Sequence, residues 1–269
     1  MSRRSIRLLA LALALTAAAL TACAAPSAPA EPSEIPAPAP TETAEPTSAP
    51  ESSETPAAAG RIVCIDPGHQ RYGSSTPEPI GPGAAETKAR VTGGTQGRFT
   101  GVTEYELNLA VALLLRDELT ARGYTVVMTR EGHDVDLSNA ERAAIAQAAG
   151  AEVFVRIHAN GSEDPNQSGA MTICMTPQNP YNAALYPDSR ALSELVLDSL
   201  VAATGCRKEY VWETDTMSGV NWAAMPVTIV EMGYMTNERE DRLLATDEYR
   251  AAVARGIADG IDDYFARTP

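Results

Sequence analysis

The feature that most constrains the fold of this chain is a regular alternation of short apolar runs and amphipathic stretches over residues 60–269. The apolar runs are continuous and rich in β-branched residues, which is typical of strands buried on both faces. They are "RIVCID", "YTVVMT", "EVFVRI", "GAMTICM" and "PVTIVEM". The stretches between most of them repeat their apolar residues at helical spacing. This order predicts a single α/β domain with a largely parallel twisted sheet and helices on both faces.

Two of the predicted helices carry clear end signals. The helix in "YELNLAVALLLRDELTARG" should end at Gly123. In "LSNAERAAIAQAAG", Ser138 and Glu141 have the spacing of a capping box, and Gly150 is the stop. Further helices are predicted in "SRALSELVLDSLVAATG" and "DEYRAAVARGIADGIDDYF". The 210 residues from 60 to 269 are enough to bury a sizeable core.

Residues 70–103 interrupt the alternation of strand-like and helical stretches. The segment is rich in glycine and polar residues and shows little periodicity. A loop of this length inside a compact domain is usually functional or disordered. We expect it to flank a functional site, because residues on both of its sides are candidates for one.

The residues before the domain predict export. Residues 1–22 hold three arginines and then an apolar run from Leu8 to Leu20, which is too short to span a bilayer and is typical of a secretory signal peptide. The run leads into "LTAC", which resembles the lipobox of bacterial lipoproteins and implies a lipid on Cys23. An ordinary signal peptide that happens to contain a cysteine is the alternative.

Residues 23–59 are predicted to be an extended, disordered tether. Residues 24–59 hold nine prolines, six glutamates and no basic residue, so they cannot bury enough apolar surface to offset the entropy of ordering. Such a tether would carry residues 60–269 away from the membrane and into the cell wall or periplasm.

Charge excludes one class of partner. The net charge of the chain is −14, of which the domain at 60–269 carries −11, and the domain has no basic run. A domain of this charge is a poor binder of nucleic acid.

The cysteines do not predict a disulfide framework. If Cys23 is lipidated, Cys64, Cys174 and Cys206 remain, and three is an odd number. Cys64 and Cys174 lie in strand-like runs and are most simply small buried residues. A bridge between Cys174 and Cys206 stays open.

Candidate chemistry collects where the predicted strands end. His69 follows the first strand, His158 follows the third, and Glu231 ends "PVTIVE". Glu104 stands where the first long helix begins. Ligands of open α/β sheets bind at the carboxyl ends of the strands. Two histidines and a carboxylate there match a catalytic zinc site, and a further carboxylate could act as general base. His133 is more simply a loop residue, with substrate contact as the lesser alternative.

Several motifs in this region occur together in one known family. They are "IDPGHQ", "GVTEYELNLAVAL", "VVMTR", "FVRIHANGS" and "MPVTIVEMGYMTN", and they span nearly all of residues 61–266. In this order they resemble the motifs of the zinc-dependent N-acetylmuramoyl-L-alanine amidases, which are cell-wall hydrolases. Asn108 and Leu109 complete the helix motif that Glu104 opens.

The resemblance implies a role for each candidate. His69, Glu104 and His158 would be the zinc ligands and Glu231 the catalytic residue, while Asp66 is a candidate for orienting His69. The implied reaction is hydrolysis of the amide between N-acetylmuramic acid and L-alanine in peptidoglycan. Two alternatives stay open: a peptidoglycan-binding or regulatory lipoprotein without turnover, and a zinc peptidase that cuts within the stem peptide.

Overall fold

The computed structural model of the 269-residue chain describes Ala58 and residues 60–267. The predicted signal peptide at 1–22, Cys23 and, apart from Ala58, the predicted tether at 23–59 lie outside the described residues. Within the described part of the chain, every helix is too short or too polar to cross a membrane.

Strands and helices alternate through most of the described chain. The strands are β1 Ile62–Pro67, β2 Ser74–Pro79, β3 Thr87–Val91, β4 Thr125–Met128, β5 Val153–Asn160, β6 Ala170–Cys174, β7 Lys208–Glu213 and β8 Val227–Tyr234. The helices are α1 Glu104–Ala121, α2 Asn139–Ala148, α3 Tyr186–Thr204, α4 Ser218–Asn221, α5 Glu238–Leu244 and α6 Asp247–Arg267. The predicted capping box of α2 is confirmed, since Glu141 N donates to Ser138 Oγ and the Glu141 carboxylate accepts from Ser138 N.

Six strands form one sheet in the order β4-β1-β5-β8-β6-β7. Strands β4, β1, β5 and β8 are parallel, whereas β6 runs antiparallel to β8 and parallel to β7. The predicted fold class, an α/β domain with a largely parallel sheet and helices on both faces, is confirmed. The sequence did not predict strand β7. This strand lies at the edge of the sheet and leaves Tyr210 and Trp212 exposed, so it lacks the continuous apolar run of a central strand.

The sheet separates two apolar layers. Side chains of α1, α3 and α6 pack on one face with alternate residues of β1 and β5, such as Ile65 and Val155. Side chains of α2 and α4 cover the other face around Cys64, Phe154 and Ile229. Because side chains alternate between the two faces of a strand, His158 and Glu231 lie on the same face as Phe154 and Ile229, side by side in register near the carboxyl ends of β5 and β8.

The sequence predicts a long loop over residues 70–103. The structure corrects this prediction, because the segment contains two strands. Strands β2 and β3 pair as an antiparallel hairpin with an irregular register. Trp222 Nε1 donates to the carbonyl of Pro79 at 2.9 Å, and Asn221 Nδ2 donates to that of Ile80 at 3.0 Å. The hairpin is therefore held by α4 and the residue after it, in a part of the chain far away in sequence.

All three cysteines of the described residues are free thiols. Cys64 and Cys174 are buried in the layer below α2 and α4, as the sequence predicted. The open possibility of a bridge between Cys174 and Cys206 is not realised in this structure.

Candidate metal centre

His69 sits on a tight turn immediately after β1. Its backbone has φ of 60°, and among the described residues it is the only non-glycine residue with positive φ. A left-handed conformation costs a residue with a Cβ on the order of 1 kcal/mol, and such strain concentrates at functional sites. Gly68 precedes it, and a Cβ at Gly68 would lie 2.2 Å from Cε1 of His158. The turn thus packs the backbone of Gly68 against the ring of His158 and places His69 directly after this contact.

The ring of His69 is oriented by the backbone of the hairpin. Its Nδ1 lies 2.9 Å from the carbonyl oxygen of Thr92, which can only accept a hydrogen bond. In the neutral tautomer that this contact selects, the proton is on Nδ1 and Nε2 of His69 carries a lone pair. This is the arrangement in which a histidine binds a metal ion through one nitrogen and a carbonyl fixes the other.

Glu104 is the first residue of α1, and its side chain is 3 % exposed. Thr95 N donates to its Oε2 at 2.7 Å, and Ala159 N donates to its Oε1 at 3.2 Å. Asn108, one turn further along α1, donates to Oε1 at 3.2 Å. Gly94, with φ of 81°, allows this approach, since a Cβ there would lie 2.8 Å from Oε2. Glu104 is fixed by donors from three separate parts of the chain.

His158, near the end of β5, completes a compact triangle of atoms. Nε2 of His69 lies 3.0 Å from Oε1 of Glu104, while Nδ1 of His158 lies 3.2 Å from each of those two atoms. These three residues are the predicted zinc ligands, and the structure brings them together as a group that could hold a metal ion.

The protonation states of the triangle suit a cation. Burial lowers the pKa of His158 to about 4, so its ring is neutral at pH 7. Burial alone would raise the pKa of Glu104, but hydrogen bonds with His158 and His69 hold it well below its usual range, so the carboxylate is ionised. A carboxyl group must be ionised and an imidazole neutral to bind a metal ion, and Glu104 and His158 meet these requirements.

The geometry also fits a small divalent ion. Ligand atoms at about 2.0–2.1 Å from a tetrahedral zinc ion lie about 3.3 Å apart, close to the 3.0–3.2 Å found here. Nε2 of His69 and Oε1 of Glu104 both present lone pairs, and neutral His158 supplies at most one proton to them. The three atoms therefore present more lone pairs to one another than there are protons between them, and a cation would bind those lone pairs.

Glu231 lies on β8 directly beside His158, in register with it. Its Oε2 is buried and has no hydrogen-bond partner among the described residues, and Nε2 of His158 is in the same condition. Burial, with a smaller contribution from the charge of Glu104, raises the pKa of Glu231 to about 8. A half-buried carboxyl group with a buried, unpaired oxygen beside a candidate metal site has the properties of a proton carrier.

Two buried arginines hold the turn that carries His69. Arg142 donates to the carbonyls of Pro67 and His69, each at 2.9 Å. Arg130 donates to the carbonyl of Pro67 at 2.8 Å and to that of Gly68 at 3.0 Å. Three successive carbonyls of a strained turn are thus satisfied by side chains from the neighbouring α2 and the loop after β4.

Asp66, the candidate for orienting His69, does not contact the ring of His69, which the carbonyl of Thr92 orients instead. Asp66 is fully buried and accepts from Arg142 at 2.7 Å, from Arg156 at 2.8 Å and from Thr129 at 2.5 Å. Although burial alone would raise its pKa, the two guanidinium groups hold the pKa of Asp66 well below its usual range. Asp66 therefore acts on the site through the two arginines that it holds in place: Arg142, which donates to the carbonyl of His69, and Arg156, which lines a cavity beside the centre.

Sequence reasoning did not identify Thr92, Thr95, Arg130 or Arg142 as part of this site. Thr95 acts through its backbone N–H and Thr92 through its carbonyl, which any residue supplies, although the hydroxyl of Thr92 also lies 3.2 Å from Nδ1 of His69. Arg130 lies in the quoted "VVMTR" motif, which was a usable signal. His133 lines neither of the two cavities that meet at the centre; its ring packs edge-on against Tyr105.

Comparison with known proteins gives consistent matches. The model of a protein family described as N-acetylmuramoyl-L-alanine amidase matches residues 63–263. The chain is 29% identical over 206 residues to the N-acetylmuramoyl-L-alanine amidase LytC of Bacillus subtilis, covering 77% of this chain but only 36% of LytC. It is 28% identical over 224 residues to the amidase Rv3717 of Mycobacterium tuberculosis, covering 80% of this chain and 91% of that protein.

A solved structure matches in the same region. The crystal structure of the N-acetylmuramyl-L-alanine amidase Ami1 from Mycobacterium smegmatis superposes with a TM-score of 0.70 and 29% sequence identity. The match covers 78% of this chain and 98% of that structure.

Proposed function

Because this chain belongs to the N-acetylmuramoyl-L-alanine amidase family, we propose that it hydrolyses the amide bond between N-acetylmuramic acid and the L-alanine that begins the stem peptide of peptidoglycan. The observation that carries the proposal is the meeting of His69, Glu104 and His158 with Glu231 at one edge of the sheet. A set of three metal-binding side chains beside an unpaired carboxyl group supplies the means to hydrolyse an unreactive amide.

We propose zinc as the metal. His69, Glu104 and His158 would hold it, each through the atom that already points into the triangle. When bound, zinc would polarise the amide carbonyl and lower the pKa of water toward about 7. The arrangement of donors around Glu104 would keep the site preformed, since its carboxylate is fixed by backbone N–H groups independently of any ion.

Glu231 would be the general base and then the general acid. Its Oε2 has no partner in the described chain, so it is free to accept a proton from the attacking water. A raised pKa of about 8 makes the protonated form a usable donor to the departing amine of L-alanine. A positive charge at the neighbouring triangle would favour the ionised form, and this allows Glu231 to begin the cycle as a base near neutral pH.

We also propose that the protein is exported and held at a membrane by a lipid on Cys23. The apolar run at 8–20 and "LTAC" support this, and so does the proposed substrate, which lies outside the cytoplasmic membrane. The proline-rich residues 23–59 would then be the tether and residues 60–269 the catalytic domain.

Digestion of purified peptidoglycan with and without a chelator tests the activity and its metal dependence together. An amidase releases intact stem peptides that begin with L-alanine, whereas a peptidase releases fragments cut within the stem; mass spectrometry separates the two. No release by the zinc-loaded protein would favour a binding or regulatory role instead.

Alanine variants of His69, Glu104 and His158 test the ligand set. Each should lose both zinc and turnover, because two remaining ligands bind too weakly to retain the ion. His133→Ala is the matched control, since His133 lines neither cavity at the centre, and it should keep both. Full zinc occupancy in His158→Ala would remove His158 from the ligand set.

A further inference from the structure

Two cavities meet at the proposed metal centre, and both are lined by His69, His158 and Glu231. The first, which we call the lysine cavity, has a volume of about 500 Å³ and extends past Lys88 to the loop after β7. The second, which we call the glycine cavity, has a volume of about 550 Å³ and extends along backbone that includes Gly93, Gly94 and Gly161. A substrate whose scissile bond lies at the centre must extend from it in two directions, and the two cavities provide those directions.

The lysine cavity carries a cation that the fold leaves without a counter-ion. Lys88 lies on β3, and its Nζ reaches across to donate to the carbonyl oxygen of Thr216 at 2.8 Å. An ammonium group has three donors, and a backbone carbonyl carries no net charge. Among the described residues no carboxylate forms an ion pair with Lys88.

This lysine is unusual in its chain. The protein has a net charge of −14, and only two of its 269 residues are lysines, Lys88 and Lys208. Lys208 pairs with Asp198 on the surface of the edge strand. The other cation of the lysine cavity, Arg156, is compensated by Asp66 at 2.8 Å and also donates to Asn139. Lys88 is therefore the cation of this cavity that forms no ion pair among the described residues, although Glu78 lies opposite it in the register of the hairpin.

The glycine cavity has the opposite character. Among the described residues that line it there is no lysine or arginine, and Glu163 is one of the lining residues. An anionic group would be repelled there and attracted in the lysine cavity.

We propose that Lys88 binds a carboxylate of the stem peptide, so that the peptide occupies the lysine cavity and the sugar lies toward the glycine cavity. This rests on the proposed amidase function. Of the two halves of the substrate, the stem peptide carries the free carboxylates, while the glycan of alternating amino sugars is largely uncharged. Lys88 would be a specificity-determining residue of the hairpin β2–β3, and it would favour stem peptides whose carboxylates are free over those whose carboxylates are amidated.

Direct binding of product peptides tests this without requiring turnover. The probes are two synthetic stem tripeptides that begin with L-alanine and differ only in carrying carboxylates or carboxamides after it. Titration calorimetry on the zinc-loaded protein should find the carboxylate peptide bound about fivefold more tightly, the size expected for one charge-assisted contact at a partly exposed site. Lys88→Gln should bring the ratio close to one by weakening only the carboxylate peptide, and Lys88→Arg should restore it.

Lys208→Gln is the matched control, because it removes the only other lysine, and it should keep the wild-type ratio. A Lys88→Gln protein with an unchanged ratio, or with both peptides weakened equally, would overturn the assignment. The outcome is separate from that of the proposed function: a wild-type protein that hydrolyses peptidoglycan while binding both peptides equally contradicts only the role of Lys88. Failure of hydrolysis with the predicted binding ratio contradicts only the activity.

Discussion

Replacement of Asp66 by asparagine should destabilise the domain strongly, although Asp66 touches neither His69 nor the proposed metal. Asp66 is fully buried between Arg142, which is 1% exposed, and Arg156, which is 4% exposed. Asparagine keeps the size of the side chain and removes its charge. Two guanidinium groups would then remain in the interior without a counter-ion.

The magnitude follows from the burial of all three groups. Breaking a buried ion pair by removing one partner costs about 3–5 kcal/mol, out of about 5–15 kcal/mol for a whole domain. For a domain of this size each kcal/mol lowers the melting temperature by about 2–4 °C. Asp66→Asn should therefore lower it by roughly 6–20 °C. Zinc affinity should fall by about 10–100-fold as well, because Arg142 holds the carbonyl of His69.

The assay is thermal unfolding of the metal-free protein followed by circular dichroism, with Glu238→Gln as the control. Glu238 pairs with Arg242 at 3.0 Å, but both side chains are about 60% exposed, so its loss should move the midpoint by less than about 2 °C.

The pH dependence identifies charge as the cause. The pKa of Asp66 is depressed in the folded state. Its contribution to the free energy of unfolding is therefore complete above the unfolded pKa of about 3.9 and is lost as the pH falls below that value. The difference between wild type and Asp66→Asn should be largest at neutral pH and shrink progressively below about pH 4. A shift no larger than that of Glu238→Gln, or one equally large at pH 3 and pH 7, would refute this reasoning.

Three further predictions concern the site and the anchor. Glu231→Gln should keep zinc content and folding while turnover of peptidoglycan falls by at least ~100-fold, because the amide cannot accept the proton; near-normal turnover would exclude Glu231 as the base. Gly68→Ala should lower zinc affinity at least about tenfold, as measured by chelator competition, since its Cβ would lie 2.2 Å from the ring of His158; an unchanged affinity would mean that the turn can shift freely. Cys23→Ala should release the protein from membranes or block its processing, which fractionation and mass spectrometry of the N-terminus would detect. Unchanged membrane association and N-terminal mass would contradict a lipid on Cys23.

The meeting of the four candidate residues was predictable from the sequence. His69, His158 and Glu231 each stand at or just after the carboxyl end of an apolar run, and the carboxyl ends of parallel strands lie at one edge of a sheet. Glu104 was predictable because it opens a helix whose motif and spacing are both clear. Periodicity and strand order are local properties, and local properties can be read from one sequence.

The hairpin was not predictable in the same way. "SSTPEP" in β2 contains two prolines and no apolar alternation, a pattern that argues against a strand. It pairs nonetheless with β3, and Trp222 donates to the carbonyl of its last residue, Pro79, while Asn221 of α4 donates to the carbonyl of Ile80, which follows it. Those partners lie up to about 140 residues away along the chain, and no local pattern encodes such contacts.

What the sequence determined by itself was the succession of the strands β1, β4, β5, β6 and β8 and of the helices α1, α2, α3 and α6, together with the residue types available at the edge of the sheet, because apolar spacing follows the geometry of each element. Only the tertiary structure decided that the carbonyl of Thr92 orients His69, that Asp66 pairs with the buried arginines, and that Lys88 lines a cavity beside the centre without an ion pair in the described chain. Each of these depends on which distant side chain or carbonyl comes within about 3 Å of another. That is fixed by packing and register across the whole domain.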